Sequence, residues 1–181
     1  GRSSSKGTSF LYMAADGIFD IGAAGIVPKK NNSDKLLSTL GFLNSNLSRY
    51  IIECLNPTVN TTEGDLKKIP FVIPSKELES SISILSNFNI NIKKQLYTFR
   101  IIETNFTQSP LLAFKGTAIK DRVLAYLNDE NAQHTQVLIN EAIINELIFE
   151  VYELSDVDRE QVEAKMGLSI GSLAVIKEAK D

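Results

Sequence analysis

The chain has 181 residues, 43% of them hydrophobic, which is enough for one domain, or a compact domain with a helical appendage, and excludes wholesale disorder. Its formal net charge of −3 argues against a generic nucleic-acid coat. Nothing approaches eighteen consecutive apolar residues, so no membrane span is expected, and the opening GRSSSKGTS has neither an initiator Met nor the apolar core of a signal peptide.

Residues 9–28, SFLYMAADGIFDIGAAGIVP, are short apolar runs broken by Asp16-Gly17 and by a Gly-Ala-Ala-Gly stretch. Glycine takes φ > 0 cheaply, so Asp-Gly suggests a hairpin, with strands predicted at about 9–14 and 17–22 and an extended stretch ending at Pro28. A polar loop, KKNNSD, follows, and Ser33 or Asp34 is expected to cap the next helix. From 35 to 55 the apolar residues Leu36, Leu37, Leu40, Leu43, Leu47, Tyr50, Ile51 and Leu55 recur at helical spacing. Gly41 and Asn44-Ser45-Asn46 suggest two short helices or one helix with a break. Three prolines and Gly64 exclude a long helix over 56–74, where Ile69–Ile73 can form an edge strand.

Ser75 opens a predicted helix to about Tyr97, with Glu77 and Glu79 in its positive first turn. A loop containing Pro110 leads to a second long helix over roughly 117–154, interrupted by the polar stretch Asn128–Gln136. Two long helices joined by a loop make an antiparallel hairpin. A short helix near Asp156–Lys165 ends before Gly167. The expected fold is α+β and helix-rich: a small N-terminal β-sheet with short helices over 1–74, then a helical hairpin and a short C-terminal helix over 75–181.

Charge is unevenly spread. Residues 1–70 carry eight Lys and Arg against six Asp and Glu, whereas from Asp121 onward the count is five against thirteen. Phosphate contacts are therefore expected in the first seventy residues, and the acidic end should face solvent or another protein. The lone cysteine, Cys54, cannot form an internal disulfide, which suits a reducing cytoplasm, and its apolar run RYIIECL suggests a buried thiol. Asn44 and Asn56 are expected to bond backbone in turns.

Catalytic chemistry is not legible. A methyltransferase acting on adenine N6 needs an acidic or amide residue followed by Pro-Pro and an aromatic, so that the flipped base is held and stacked. The chain has five prolines, no two adjacent, and no Gly-rich strand-to-helix loop for S-adenosylmethionine. Acid-x-Lys triplets at 65–67, 163–165 and 178–180 lack the upstream Pro-Asp of a Mg²⁺-dependent nuclease. One His and one Cys cannot build a zinc site, and His134 reads as solvated surface. No catalytic, cofactor-binding or metal-binding residue is expected.

Several blocks, taken together and in order, carry a family resemblance. FLYMAADGIFDIGAAGIVPKK resembles the start of the target-recognition region of large single-chain adenine methyltransferases. The Leu40–Ser45, Asn56–Thr58 and Gly64–Pro70 blocks match that family's Leu-Gly-h-Leu-Asn-Ser, Asn-Pro-Thr and Gly-Asp-h-Lys-x-h-Pro pattern, where h is hydrophobic. FRIIETNFTQSPLL and NEAIINELIFEVYEL resemble segments of BREX-type methyltransferases. The chain thus resembles the target-recognition or C-terminal region of BREX-type (PglX-like) or type IIG adenine-specific DNA methyltransferases.

That resemblance implies a non-catalytic fragment of a longer protein; the missing initiator Met fits this, with Gly1 expected to be left from a cleaved tag, and the lone Cys54 fits a cytoplasmic setting. Residues 1–74 would be the DNA-reading subdomain and 75–181 a helical spacer. The S-adenosylmethionine site and the methyl transfer would lie in a catalytic domain elsewhere in the parent chain. Partners would be double-stranded DNA, that catalytic domain and other phage-defence proteins. Lysine supplies charge to phosphates, and an asparagine amide can pair with adenine, so the Lys29-Lys30-Asn31-Asn32 loop, Arg2 and Lys6 in the Ser/Gly arm, and Lys67 and Lys68 are the expected DNA contacts. The alternative is a helical module that docks the methyltransferase onto other defence subunits.

Overall fold

A computed structural model describes residues 9–13, 17, 25–28, 32–58 and 61–167. Among the described residues the secondary structure is helical: α1 (Ser33–Asn44), α2 (Asn46–Leu55), α3 (Glu63–Leu66), α4 (Lys76–Tyr97), α5 (Pro110–Ala113), α6 (Ile119–Val151) and α7 (Asp156–Met166). No described helix is long and apolar enough to cross a membrane.

The expected N-terminal β-sheet is corrected to a helix-rich architecture, because the described residues contain no strand. Over 9–13 the groups that would form a ladder go elsewhere. The N–H of Phe10 donates to Asn44 Oδ1 at 2.9 Å, and Asn44 Nδ2 donates back to the Phe10 carbonyl at 3.0 Å. Most of the second expected strand, 17–22, lies outside the described residues. The expected edge strand at 69–73 is tied down by one phenol. Tyr152 Oη donates to the Pro70 carbonyl at 2.6 Å and accepts from Val72 N–H at 3.2 Å. Pro70 and Pro74 donate nothing, so a side chain serves this segment better than a strand would.

The break expected at 44–46 is present. Ser45, extended at ψ 159°, ends α1 and caps α2, accepting from Ser48 N–H. Asn145, on α6, accepts from Asn46 N–H at 2.8 Å and so helps cap a helix distant in sequence. Gly41 has a different role from the expected break. It is buried inside α1, where an added Cβ would lie 2.7 Å from Ile82 Cγ2 and 2.8 Å from Ser86 Oγ. Its missing side chain lets α1 and α4 approach closely.

α4 and α6 run antiparallel: Ile82 clusters with Ile144 and Ile148, Asn89 accepts from Asn140 at 2.7 Å, and Ile92 and Leu96 cluster with Val137. α6 continues through the polar stretch at 128–136, held locally by the pairs Tyr126–Glu130 and Gln133–Asp129. It ends in a Schellman turn, with Leu154 N–H on Phe149 O at 3.1 Å and Glu153 N–H on Glu150 O at 3.0 Å. Glu153 occupies the left-handed position at φ 49°. α7 packs on through Val162 and ends at Gly167, whose φ of 88° suits only glycine well.

The main core joins Phe42 and Leu43 of α1, Leu47 of α2, Ile82 of α4, Ile144, Ile148 and Phe149 of α6, and Val162 of α7. Helices before and after residue 74 thus contribute to one hydrophobic cluster. Cys54 is exposed, not buried, because Leu47, Ser48 and Ile52 form the inward stripe of α2 and Cys54 falls off it.

Candidate nucleic-acid interface

Of the expected DNA contacts, Arg2, Lys6, Lys29, Lys30 and Asn31 lie outside the described residues. The loop's flanks are described. Gly25–Pro28 is exposed, with Val27 at 75%, and the loop ends at Asn32. Asn32 is the N-cap of α1: its Oδ1 accepts from Lys35 N–H at 3.0 Å. The expected caps Ser33 and Asp34 are instead the first two residues of α1, where Asp34 accepts from Ser83 Oγ at 3.4 Å and ties this end of α1 to α4. Asn32 therefore stands at the positive end of a packed helix, a setting that favours anions. A bidentate grip on adenine uses both ends of an amide, so Asn32 could join one only with an oxygen it already shares with its helix.

Lys67 and Lys68 sit just past α3, in a turn built by its own side chains. Asp65 Oδ2 accepts from Asn56 Nδ2 at 2.8 Å, from Thr62 N–H at 2.9 Å and from Thr62 Oγ1 at 2.7 Å. Thr62 Oγ1 in turn accepts from Asp65 N–H at 3.3 Å, which completes a capping box. Asn56 Oδ1 accepts from Thr58 N–H at 3.0 Å and Thr58 Oγ1 at 2.6 Å. Donation from Asn56, then from Thr62, holds the Asp65 carboxyl down to about 2, so it is ionised at neutral pH. The family-like Asn-Pro-Thr and Gly-Asp blocks are thus a bracket for this turn. The signal for it is Thr62-x-x-Asp65, a capping-box spacing that the sequence reading passed over.

On that bracket Lys67 pairs with Glu63 at 2.7 Å, both side chains more than 70% exposed. An ion pair so exposed is worth little and exchanges readily for a phosphate. Lys68 is exposed and makes no ion pair among the described residues. Asn32 and the two lysines stand on different elements, with no hydrogen bond or ion pair between them. The segment 9–13 is fixed elsewhere: Phe10 by Asn44, at the far end of α1 from Asn32, and Tyr12 with Lys94 Nζ 5.5 Å from its ring centroid. Among the described residues, no group of three or more His, Cys, Asp or Glu is placed to hold a metal ion.

No family model matches the chain, and no solved structure matches it. It is 28% identical over 148 residues to the adenine-specific methyltransferase BrxX of Escherichia coli O9:H4 (strain HS). The chain is thus related to a region of a BREX-type adenine-specific methyltransferase. The alignment covers 82% of this chain but only 12% of that relative's length.

Proposed function

We propose that this chain is a non-catalytic DNA sequence-recognition region of an adenine-N6 DNA methyltransferase of the BREX phage-defence or restriction–modification kind. The observation that carries the reading is the similarity to BrxX across 82% of the chain. In support, both described parts of the candidate interface have rigid backing. Asn32 closes the basic loop onto α1, and the Asn56–Thr62–Asp65 bracket presents Lys67 and Lys68. In this reading the lysines neutralise phosphates and fix register, and the asparagines read base edges. Binding of S-adenosylmethionine and methyl transfer belong to a catalytic domain elsewhere in the parent protein, so this chain alone neither methylates DNA nor binds that cofactor.

Fluorescence anisotropy of the 181-residue chain with duplex DNA at two salt concentrations tests the reading. Weak binding that falls steeply with salt is expected, because the chain offers few cations and carries an acidic C-terminal third. No binding at low salt would favour the alternative, a docking module for other defence proteins.

A further inference from the structure

The hairpin's far end is a built surface for which the recognition reading has no use. Beyond the Ile92–Leu96–Val137 cluster, Phe99, Phe114 and Tyr126 pack as three rings with centroids 5.7–5.8 Å apart. Arg122 Nε donates to the Gly116 carbonyl at 3.1 Å and Nη1 to the Leu111 carbonyl at 3.3 Å, lacing α5 and its following loop to α6. Asp121 accepts from Ala118 N–H at 3.0 Å and Thr117 Oγ1 at 2.8 Å, closing the start of α6.

This ordered end turns aliphatic side chains outward. Ile101 is 80% exposed, Ile102 86%, Leu112 70% and Ile119 74%. Cations adjoin them in sequence: Arg100 precedes Ile101, Lys115 follows Leu112 by three residues, and Lys120 follows Ile119. None of the three cations makes an ion pair among the described residues, and Glu103 is the lone carboxylate between 98 and 120.

Resting on the DNA-recognition reading, we infer that this end of the hairpin is a second, sequence-independent contact with duplex DNA, in which Ile101 and Ile102 act as an apolar wedge at a base step while Arg100, Lys115 and Lys120 hold the flanking phosphates. Charge complementarity selects DNA over a protein partner. Exposed aliphatic residues bracketed by cations without ion pairs, Arg100 lying 4.6 Å over the Tyr97 ring, match a groove lined by phosphates, whereas protein–protein interface cores are depleted of charge. At the other end of the hairpin Glu146 is paired with Arg159 at 3.4 Å, and Glu150, Glu153, Asp156 and Asp158 follow it in sequence.

The test uses the whole 181-residue chain and a duplex of about 20 base pairs with a central TA step and a dye at each end, so that bending and affinity are read together. Ile101→Ser with Ile102→Ser should leave the circular dichroism and the salt slope unchanged while the dye-to-dye distance returns to that of free DNA. Lys115→Gln with Lys120→Gln should lower the slope of log affinity against log salt by about two, at roughly 0.9 per phosphate. If both double variants bend and bind DNA as the wild type does, the inference is overturned and the patch is left as a protein-docking surface. In that case Lys29→Gln with Lys30→Gln, which should still weaken binding, keeps the recognition reading separate. Failure of the wild-type chain to bind the duplex at all overturns both.

Discussion

Asn44 grips both backbone groups of Phe10, accepting from its N–H at 2.9 Å and donating to its carbonyl at 3.0 Å, across thirty-four residues. One side-chain amide thus does for Phe10 what a neighbouring strand would do. Asn44→Ala removes both bonds. A loss of about 1–2 kcal/mol of stability is expected in urea unfolding, with faster proteolysis at 9–13. Unchanged proteolysis would show that Phe10 is held by its packing alone.

Gly41 sets the distance between α1 and α4. A methyl group there meets Ile82 Cγ2 at 2.7 Å and Ser86 Oγ at 2.8 Å, in a layer where both neighbours are buried. Gly41→Ala should therefore cost about 1–3 kcal/mol, although alanine is the better helix former by nearly 1 kcal/mol. Pairing it with Ser86→Ala, which removes one of the two clashing atoms, should recover part of the loss. A stabilised Gly41→Ala variant would mean the helices separate freely.

Glu153 holds a left-handed backbone at the end of α6, where glycine is at ease. Glu153→Gly should raise stability by about 1 kcal/mol in thermal unfolding, and Glu153→Asn should move it the same way. Destabilisation by both would show that the Glu153 side chain matters more than its backbone strain.

Asp65 gives the chain a specific acid sensitivity. Folded, its carboxyl titrates at about 2; unfolded, at about 3.9. Between those values the unfolded state binds more protons, so stability falls as pH drops through the window and is fully present above it. Asp65→Asn should be less stable than wild type at neutral pH, and the gap should close between about pH 4 and pH 2. Glu63 and Asp121, also lowered, remain in both proteins and cancel in the difference. A gap that is constant with pH would mean the bracket does not depend on the carboxylate.

What the sequence revealed followed the strength of local signals. Ser75 and Gly167 punctuate helices whose ends the structure places beside them. The Asn44–Asn46 cluster does break the helix, since Ser45 serves one helix as its end and the next as its cap. The strands misled because Tyr, Phe, Ile and Val at 9–13 and 69–73 have β-like composition, while the partners that take up their backbone groups, Asn44 and Tyr152, lie far off in sequence. The candidate site was legible as chemistry but not as geometry. KKNN advertises charge and amides, yet nothing local reveals that Asn32 is committed to a helix cap, or that Asn56 reaches Asp65.

That cap shapes the most direct test of the recognition reading, which is methylome sequencing of cells carrying variants of the full-length parent. Asn31→Ala removes an amide, and Asn32→Ser removes another while keeping an oxygen to cap α1, so loss of recognition is not confused with a frayed helix. Each lost amide pairing is worth about 1–3 kcal/mol of discrimination between bases. The expected result is a methylated motif that relaxes at one or more positions in the double variant, while Lys29→Gln with Lys30→Gln lowers methylation evenly without changing the motif. An unchanged motif and undiminished methylation in all these variants would contradict the claim that this loop reads DNA.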